Sequence, residues 1–393
     1  VPLPTSTRFS TLCTTLIVAV GVLAGCGHES PPGAQLLPVE QRGTIVSQQP
    51  VSDSDAYSAV PGSRATLVLY RSTSGIDGSG VQVSGTVFQP PGNPPPGGWP
   101  VVTLGHGTTG LTDNCAPSRH PDLLGAIGPV IAFLQRGYVV AVSDYQGLGT
   151  PGEHPYLEPN SAAYDLIDAV RAARNVIPGT SDRWAAFGIS QGGQASWAAA
   201  GHAEDYGEGL RFVGSADLSP AADLSPVMAG STTPNLTLAQ KMLLPILITG
   251  LKVSHHDLDV SAYLQGKLAA DTDDVISCDR HRQAAAALDL NGVKVTARSP
   301  EDLTRIQQIL KDIALPQRRA DGPMLVVVGA NDSLILPQWT EAAVRKACDM
   351  GDVIDLEVRQ GEGHGDPAAV PGAVNWVADR FAGKPAPDNC ATS

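Results

Sequence analysis

The chain of 393 residues is long enough for one large domain with an insertion, or for two domains. Lys and Arg number 26 against 39 Asp and Glu, a net charge of −13 with no basic stripe. That excludes a nucleic-acid partner, whose binding needs clustered cations to displace phosphate counterions.

The first segment reads as an export signal over residues 1–25. Arg8 is its one charged side chain, and "TLCTTLIVAVGVLA" is apolar but too short to span a membrane. It ends in "LAGC", which resembles the bacterial lipobox and makes Cys26 a lipidation candidate. The expected location is therefore extracellular or at the cell surface, with the membrane reached by a lipid anchor only. Cys13 lies in the signal, which leaves Cys115, Cys278, Cys348 and Cys390. An even number in an exported chain predicts two disulfides, with three pairings open. No C-x-x-C occurs, which argues against a zinc ribbon or a redox motif.

Residues 27–49, mixed in Pro, Gly, Gln and Ser, read as a tether and lead-in segment. Residues 50–216 alternate strands and helices. "ATLVLYRS" and "VQVSGTVFQP" predict an antiparallel pair at a sheet edge. "VVTLGHG" and "GYVVAVSDYQG" are near-continuous apolar runs, as in strands covered on both faces. "SAAYDLIDAVRAARNVIPG" has helical spacing and is stopped by Pro178-Gly179. "RWAAFGIS", "QGGQASWAAAGHA" and "RFVGSADLS" continue as strand, helix and strand.

Residues 217–320 break the alternation. They predict a mostly helical cap, with helices near Leu236–Leu251 and Leu303–Ile313. Alternation resumes over 321–393 with "PMLVVVGAND", "TEAAVRKACDM", "VIDLEVRQGEGHG" and "AVNWVADRFAG". The fold class is α/β: a mainly parallel central sheet with helices on both faces and a cap inserted above its C-terminal edge.

"G-I-S-Q-G" places Ser190 at a strand-to-helix turn between small residues, the pattern of a nucleophile elbow. A serine hydroxyl needs a base, and His364 in the glycine-flanked loop "GEGHGD" is the candidate. The acid should fall between them at a strand end. Asp332 in "VVVGAND" fits better than Asp349, Asp352 or Asp366. Two backbone N–H groups would receive an oxyanion: that of Gln191, and one from "LGHGTTG", with Thr108 preferred and Thr109 second. His106 is expected to brace this loop at the substrate side, whereas His28, His120 and His154 read as surface residues. Together these elements predict an α/β-hydrolase that uses no metal and no cofactor.

"GHGTTG", "GYVVAVSDYQGLG", "GISQGG", "GANDSLI" and "GEGHGD" jointly resemble the secretory lipase family of α/β-hydrolases, here as a bacterial lipoprotein. The resemblance runs from about residue 40 onward. It implies an esterase or lipase acting on a small-molecule ester or lipid substrate, with a helical cap before the acid-bearing strand. It also implies the disulfides Cys115–Cys278 and Cys348–Cys390, the second also suited to two cysteines that end neighbouring helices. It makes Asp144 structural and Tyr145 a pocket wall. The chain is expected to act as a monomer.

Alternatives are a peptidase of the same fold, acyl transfer to alcohols, and a surface-anchored binding protein with a relic site. "SHHDLD" matches no metal-ligand spacing and reads as a solvated cap face. "MLLPILITGL", residues 242–251, suits an acyl tunnel and the cap's own core equally.

Overall fold

The computed structural model describes residues 1–2, 36–228 and 235–390. The lipidation candidate Cys26, and with it Cys13 and His28, lie outside the described residues.

In chain order the elements begin with β1 (Ile45–Pro50), α1 (Asp55–Ala59), β2 (Arg64–Thr73), β3 (Gly80–Gln89), β4 (Trp99–Gly105), α2 (Ile127–Gln135) and β5 (Val139–Ser143). Next come α3 (Pro159–Val176), β6 (Thr180–Ile189), α4 (Gln191–Gly201) and β7 (Arg211–Leu218). Five helices follow: α5 (Leu238–Ser254), α6 (Lys267–Ala270), α7 (Thr272–Val275), α8 (Arg280–Leu290) and α9 (Pro300–Asp312). The chain closes with β8 (Met324–Gly329), α10 (Pro337–Asp349), β9 (Ile354–Arg359) and α11 (Val370–Phe381).

The strands form one sheet in the order β1-β2-β3-β5-β4-β6-β7-β8-β9. Pairing is antiparallel from β1 through β3 to β5, and parallel from there to β9. The chain is thus an α/β protein with a mostly parallel sheet.

Strand side chains alternate between faces, and the two cores follow that alternation. Val101, Val139, Trp184, Ala186 and Val326 face α3, α4 and α10. Their neighbours Val102, Val140, Ala185, Phe187 and Leu325 face α2 and α11. Burial on both sides is why these strands are apolar without interruption.

One correction concerns the lead-in segment. Residues 45–49, at the end of the tether and lead-in segment, form with Pro50 the edge strand β1, paired with β2. Five of its six residues are exposed, so "IVSQQP" carries little hydrophobic alternation to announce it.

Helices α5–α9 gather around a third core built on Leu244, Leu247, Leu251, Ile306 and Ile309. Residues 242–251 lie inside α5; all but Met242 and Thr249 are buried, and Leu243, Leu244, Ile246, Leu247, Ile248 and Leu251 belong to that core, as the cap-core reading expects. The chain then returns to the sheet before residue 320: Leu315 and Ala320 join the main core, and the Leu315 N–H donates to the Ala222 carbonyl.

The disulfides join Cys115 to Cys278 and Cys348 to Cys390. Cys348 lies at the end of α10, but Cys390 lies past α11 in the C-terminal tail, so only one of that pair ends a helix. In "SHHDLD", Asp257 pairs with Arg305 and Asp259 with Arg298 at the surface.

Candidate active site

The parallel strands all point their C-terminal ends to one edge of the sheet. There β6 turns into α4 through Ser190, which has φ 62° and ψ −118°. A non-glycine residue rarely takes positive φ, and this one aims its side chain off the strand end. The glycines beside it are steric requirements. A Cβ on Gly188 would lie 1.9 Å from the Gly192 carbonyl oxygen, and one on Gly192 would lie 1.9 Å from that of Gly105. The elbow therefore packs backbone against backbone between β4, β6 and α4.

Beyond β7, the strands β8 and β9 bring in the other groups. Asp332 follows β8 and is 4% exposed. Its Oδ1 accepts from the Leu334 and Ile335 N–H groups at 2.9 and 3.0 Å, which fixes the carboxylate plane. His364 follows β9 on a turn held against β8: a Cβ on Gly329 would meet the Gly363 carbonyl oxygen at 2.3 Å. The Gly365 N–H also donates to Ser219 Oγ at 3.0 Å.

His364 bridges the two. Its Nδ1 lies 2.7 Å from Asp332 Oδ2 and its Nε2 lies 2.8 Å from Ser190 Oγ. A carboxylate only accepts, so the neutral tautomer that satisfies both partners carries its proton on Nδ1 and accepts the Ser190 hydroxyl at Nε2. Residues 190, 332 and 364, far apart in the chain, meet at one sheet edge. The rival carboxylates lie elsewhere. Asp352 accepts from the Ala320 N–H and is pushed up to about 6 by burial. Asp366 caps a short turn through the Ala368 N–H, and Asp349 ends α10.

Gln191 is the first residue of α4, where helical N–H groups have no intrahelical acceptor. The loop after β4 passes over the serine, such that a Cβ on Gly107 would sit 3.9 Å from Ser190 Cβ. Thr108 Oγ1 pairs with Tyr156 Oη at 2.7 Å, and Thr109 Oγ1 donates to the Cys115 carbonyl at 2.8 Å.

Tyr145 does not form an open pocket wall, and His106 lies beneath the loop rather than at its substrate side. Each is 1% exposed, and their rings lie 4.5 Å apart beneath the loop. Tyr145 Oη donates to the His106 carbonyl at 3.1 Å, filling space left by Gly105. The His106 ring contacts the carbonyl oxygens of Gly107 and Asp144, and burial lowers its basicity. Asp144 accepts from the Ser118 N–H and from the hydroxyls of Ser84 and Ser118, and so ties the loop's far end.

His154 is the clear misplacement. It is not a surface residue but 4% exposed, and its ring contacts the Gln191 side chain at 2.8 Å. Its segment "PGEHPY" is polar and turn-rich, with no periodicity to mark burial. The one available signal was its position just after the "SDYQG" strand end.

A serine elbow at the C-terminal edge of a sheet with this strand order is the architecture of an α/β-hydrolase. A profile described as secretory lipase matches residues 127–389, about two thirds of the chain, and the chain belongs to that family. Lipase A of Arthroderma benhamiae is 27% identical over 311 residues, covering 71% of this chain and 63% of that protein. A probable inactive lipase of Mycobacterium tuberculosis is 27% identical over 354 residues, 83% of this chain and 75% of that protein. Among solved structures, the closed state of Candida antarctica lipase A superposes with a TM-score of 0.71 at 17% identity, over 89% of this chain and 84% of that one. The rice cell wall degrading esterase LipA of Xanthomonas oryzae gives 0.67 at 21% identity, over 87% and 99%. These structural likenesses concern the fold.

Proposed function

We propose that this chain is an exported serine esterase or lipase that hydrolyses carboxylic esters, acylglycerols or short to medium acyl esters, through an acyl-serine intermediate. The observation that carries the reading is the His364 ring lying within hydrogen-bond reach of both Ser190 Oγ and Asp332 Oδ2.

In the proposed reaction Ser190 Oγ attacks the ester carbonyl while His364 Nε2 takes its proton. Asp332 holds the ring's orientation and stabilises the imidazolium. The tetrahedral oxyanion accepts from the N–H groups of Gln191 and Thr108, each such donor lowering the barrier by roughly 3 kcal/mol. His364 gives its proton to the departing alkoxide, and the acyl group stays on Ser190. Water then attacks the acyl-serine with His364 as base, releasing the acid and restoring the hydroxyl. No step draws on a metal or cofactor.

The family membership supports export, and "LAGC" supports anchoring through a lipid on Cys26. One relative bears the name of an inactive lipase, so turnover itself is the decisive test. p-Nitrophenyl esters from acetate to palmitate are to be assayed with the parent and with Ser190→Ala. Turnover by the parent and its loss in the variant are expected, and the chain-length profile separates esterase from lipase. Full activity in Ser190→Ala would sink the mechanism.

A further inference from the structure

We propose that His154 and Tyr156 are positioning residues for the oxyanion site, one holding each of its two donors in place; the proposal rests on the serine-hydrolase reading above. The two residues lie on the connection between β5 and α3, two positions apart, and both are buried at 4% and 2% exposure.

The direction of each hydrogen bond follows from chemistry. His154 Nδ1 lies 2.8 Å from the Gln146 carbonyl oxygen, so it must carry the proton and donate. Nε2 is left as an acceptor, and the Gln191 side-chain amide donates to it at 2.8 Å. Burial pushes His154 down to about 4, which keeps that acceptor available near neutral pH. Two residues along, Tyr156 Oη shares a 2.7 Å hydrogen bond with Thr108 Oγ1. The His154 ring stacks on Tyr145 at 5.7 Å and meets Tyr156 edge-on at 6.1 Å.

Both halves of the oxyanion site need such support. Thr108 sits in G-H-G-T-T-G, a glycine-rich stretch with little stiffness of its own. Gln191 follows a residue held at positive φ. Misplacing a reacting partner by about 1 Å can cost roughly a hundredfold in rate. Hydrogen bonds from one buried pair of residues to Thr108 and Gln191 set the spacing between their N–H groups. Neither His154 nor Tyr156 needs to touch substrate to do this.

The test uses the full chain with His154→Phe, His154→Gln, Tyr156→Phe, Gln191→Ala and the double variant His154→Phe/Gln191→Ala. Active sites are titrated with a fluorophosphonate. kcat and KM are measured on p-nitrophenyl butyrate, affinity on a trifluoromethyl ketone whose hemiketal mimics the oxyanion, and stability by thermal melting. Removing either hydrogen bond is expected to lower kcat about tenfold per titrated site with KM within about twofold. Affinity for the ketone should fall by the same factor as kcat/KM. His154→Gln, which keeps an acceptor near Nε2, should recover most of the loss. The double variant should be no worse than His154→Phe alone.

Unchanged kcat per titrated site in Tyr156→Phe and His154→Phe would overturn the proposal, as would a loss confined to melting temperature. So would equal activities of the Phe and Gln variants at 154. If Ser190→Ala retained turnover, the nucleophile assignment would fail first. Full labelling of Ser190 with unaffected kcat in the variants at 154 and 156 would sink the positioning role alone.

Discussion

Ser190 holds φ 62°, a conformation that alanine would hold at a similar cost and glycine at almost none. Backbone strain of this kind is worth about 1–3 kcal/mol and persists where the surroundings over-determine it. Here Gly188 and Gly192 lock the turn by close backbone approach, and the Ser190 N–H donates to the Leu218 carbonyl at 2.9 Å. Ser190→Ala and Ser190→Gly should both lose activity, but they should separate in stability. Ser190→Gly is expected to melt above Ser190→Ala, because only glycine relieves the strain. Equal melting temperatures would mean that any strain relieved is no larger than glycine's extra folding entropy, roughly 0.5–1 kcal/mol.

The N-terminus of α5 meets the loop that carries Asp332. Thr237 caps α5: its Oγ1 accepts from the Gln240 N–H at 3.1 Å, and Gln240 Oε1 accepts from the Thr237 N–H at 3.1 Å. Both side chains also donate outward, Thr237 to the Ser333 carbonyl and Gln240 to the Leu334 carbonyl. These are the residues directly after Asp332. Thr237→Ala removes the cap and the link to Ser333, and should lower stability by about 1 kcal/mol in urea unfolding. An unchanged midpoint would mean that the terminus is held by packing alone.

The elements that bear Ser190, Asp332 and His364 are legible because each has a clear local hydrophobic pattern, and the strands before Ser190 and Asp332 are short apolar runs ending in a small or polar residue. "RWAAFGIS" and "PMLVVVGAND" fit that pattern, while "VIDLEVRQ" is legible by the apolar–charged alternation of an edge strand. Elements defined by long-range contact are not. β1 is a mostly exposed edge strand, and α6 and α7 have four residues each. His154 is buried by Gln191, 37 positions away, a contact no local pattern encodes. Motif position puts His106 and Tyr145 on loops at strand ends, but sequence carries no information on which side of a loop a ring packs.

At the scale of the whole molecule, buried carboxyl groups shape the response to pH. Asp217 on β7 is fully buried and accepts from the hydroxyls of Ser215 and Ser196. Burial pushes it up to about 7 from its ordinary 3.8. A carboxyl raised in the folded state favours folding fully below pH 4, and that contribution is lost as pH rises through 7. Asp168 behaves alike, raised to about 7 chiefly by burial, with Tyr206 Oη donating to it at 2.7 Å. His154 acts in the opposite sense, held near 4 against an ordinary 6.5, so its contribution is present above pH 6.5 and lost as pH falls through 4. A difference curve isolates Asp217. The melting temperature of Asp217→Asn minus that of the parent should rise between pH 4 and pH 7 and then level. A flat difference would mean that Asp217 loses its proton at the same pH in the folded and unfolded chain, and that burial does not raise it.

Convergence of Ser190, Asp332 and His364 into one nucleophilic relay is tested most directly by covalent trapping. The intact protein is treated with a fluorophosphonate, and the adduct is located by peptide mapping. One adduct per chain on Ser190 is expected, absent in Ser190→Ala and strongly slowed in His364→Ala. Labelling at another residue, or at Ser190 with undiminished rate in His364→Ala, would contradict it.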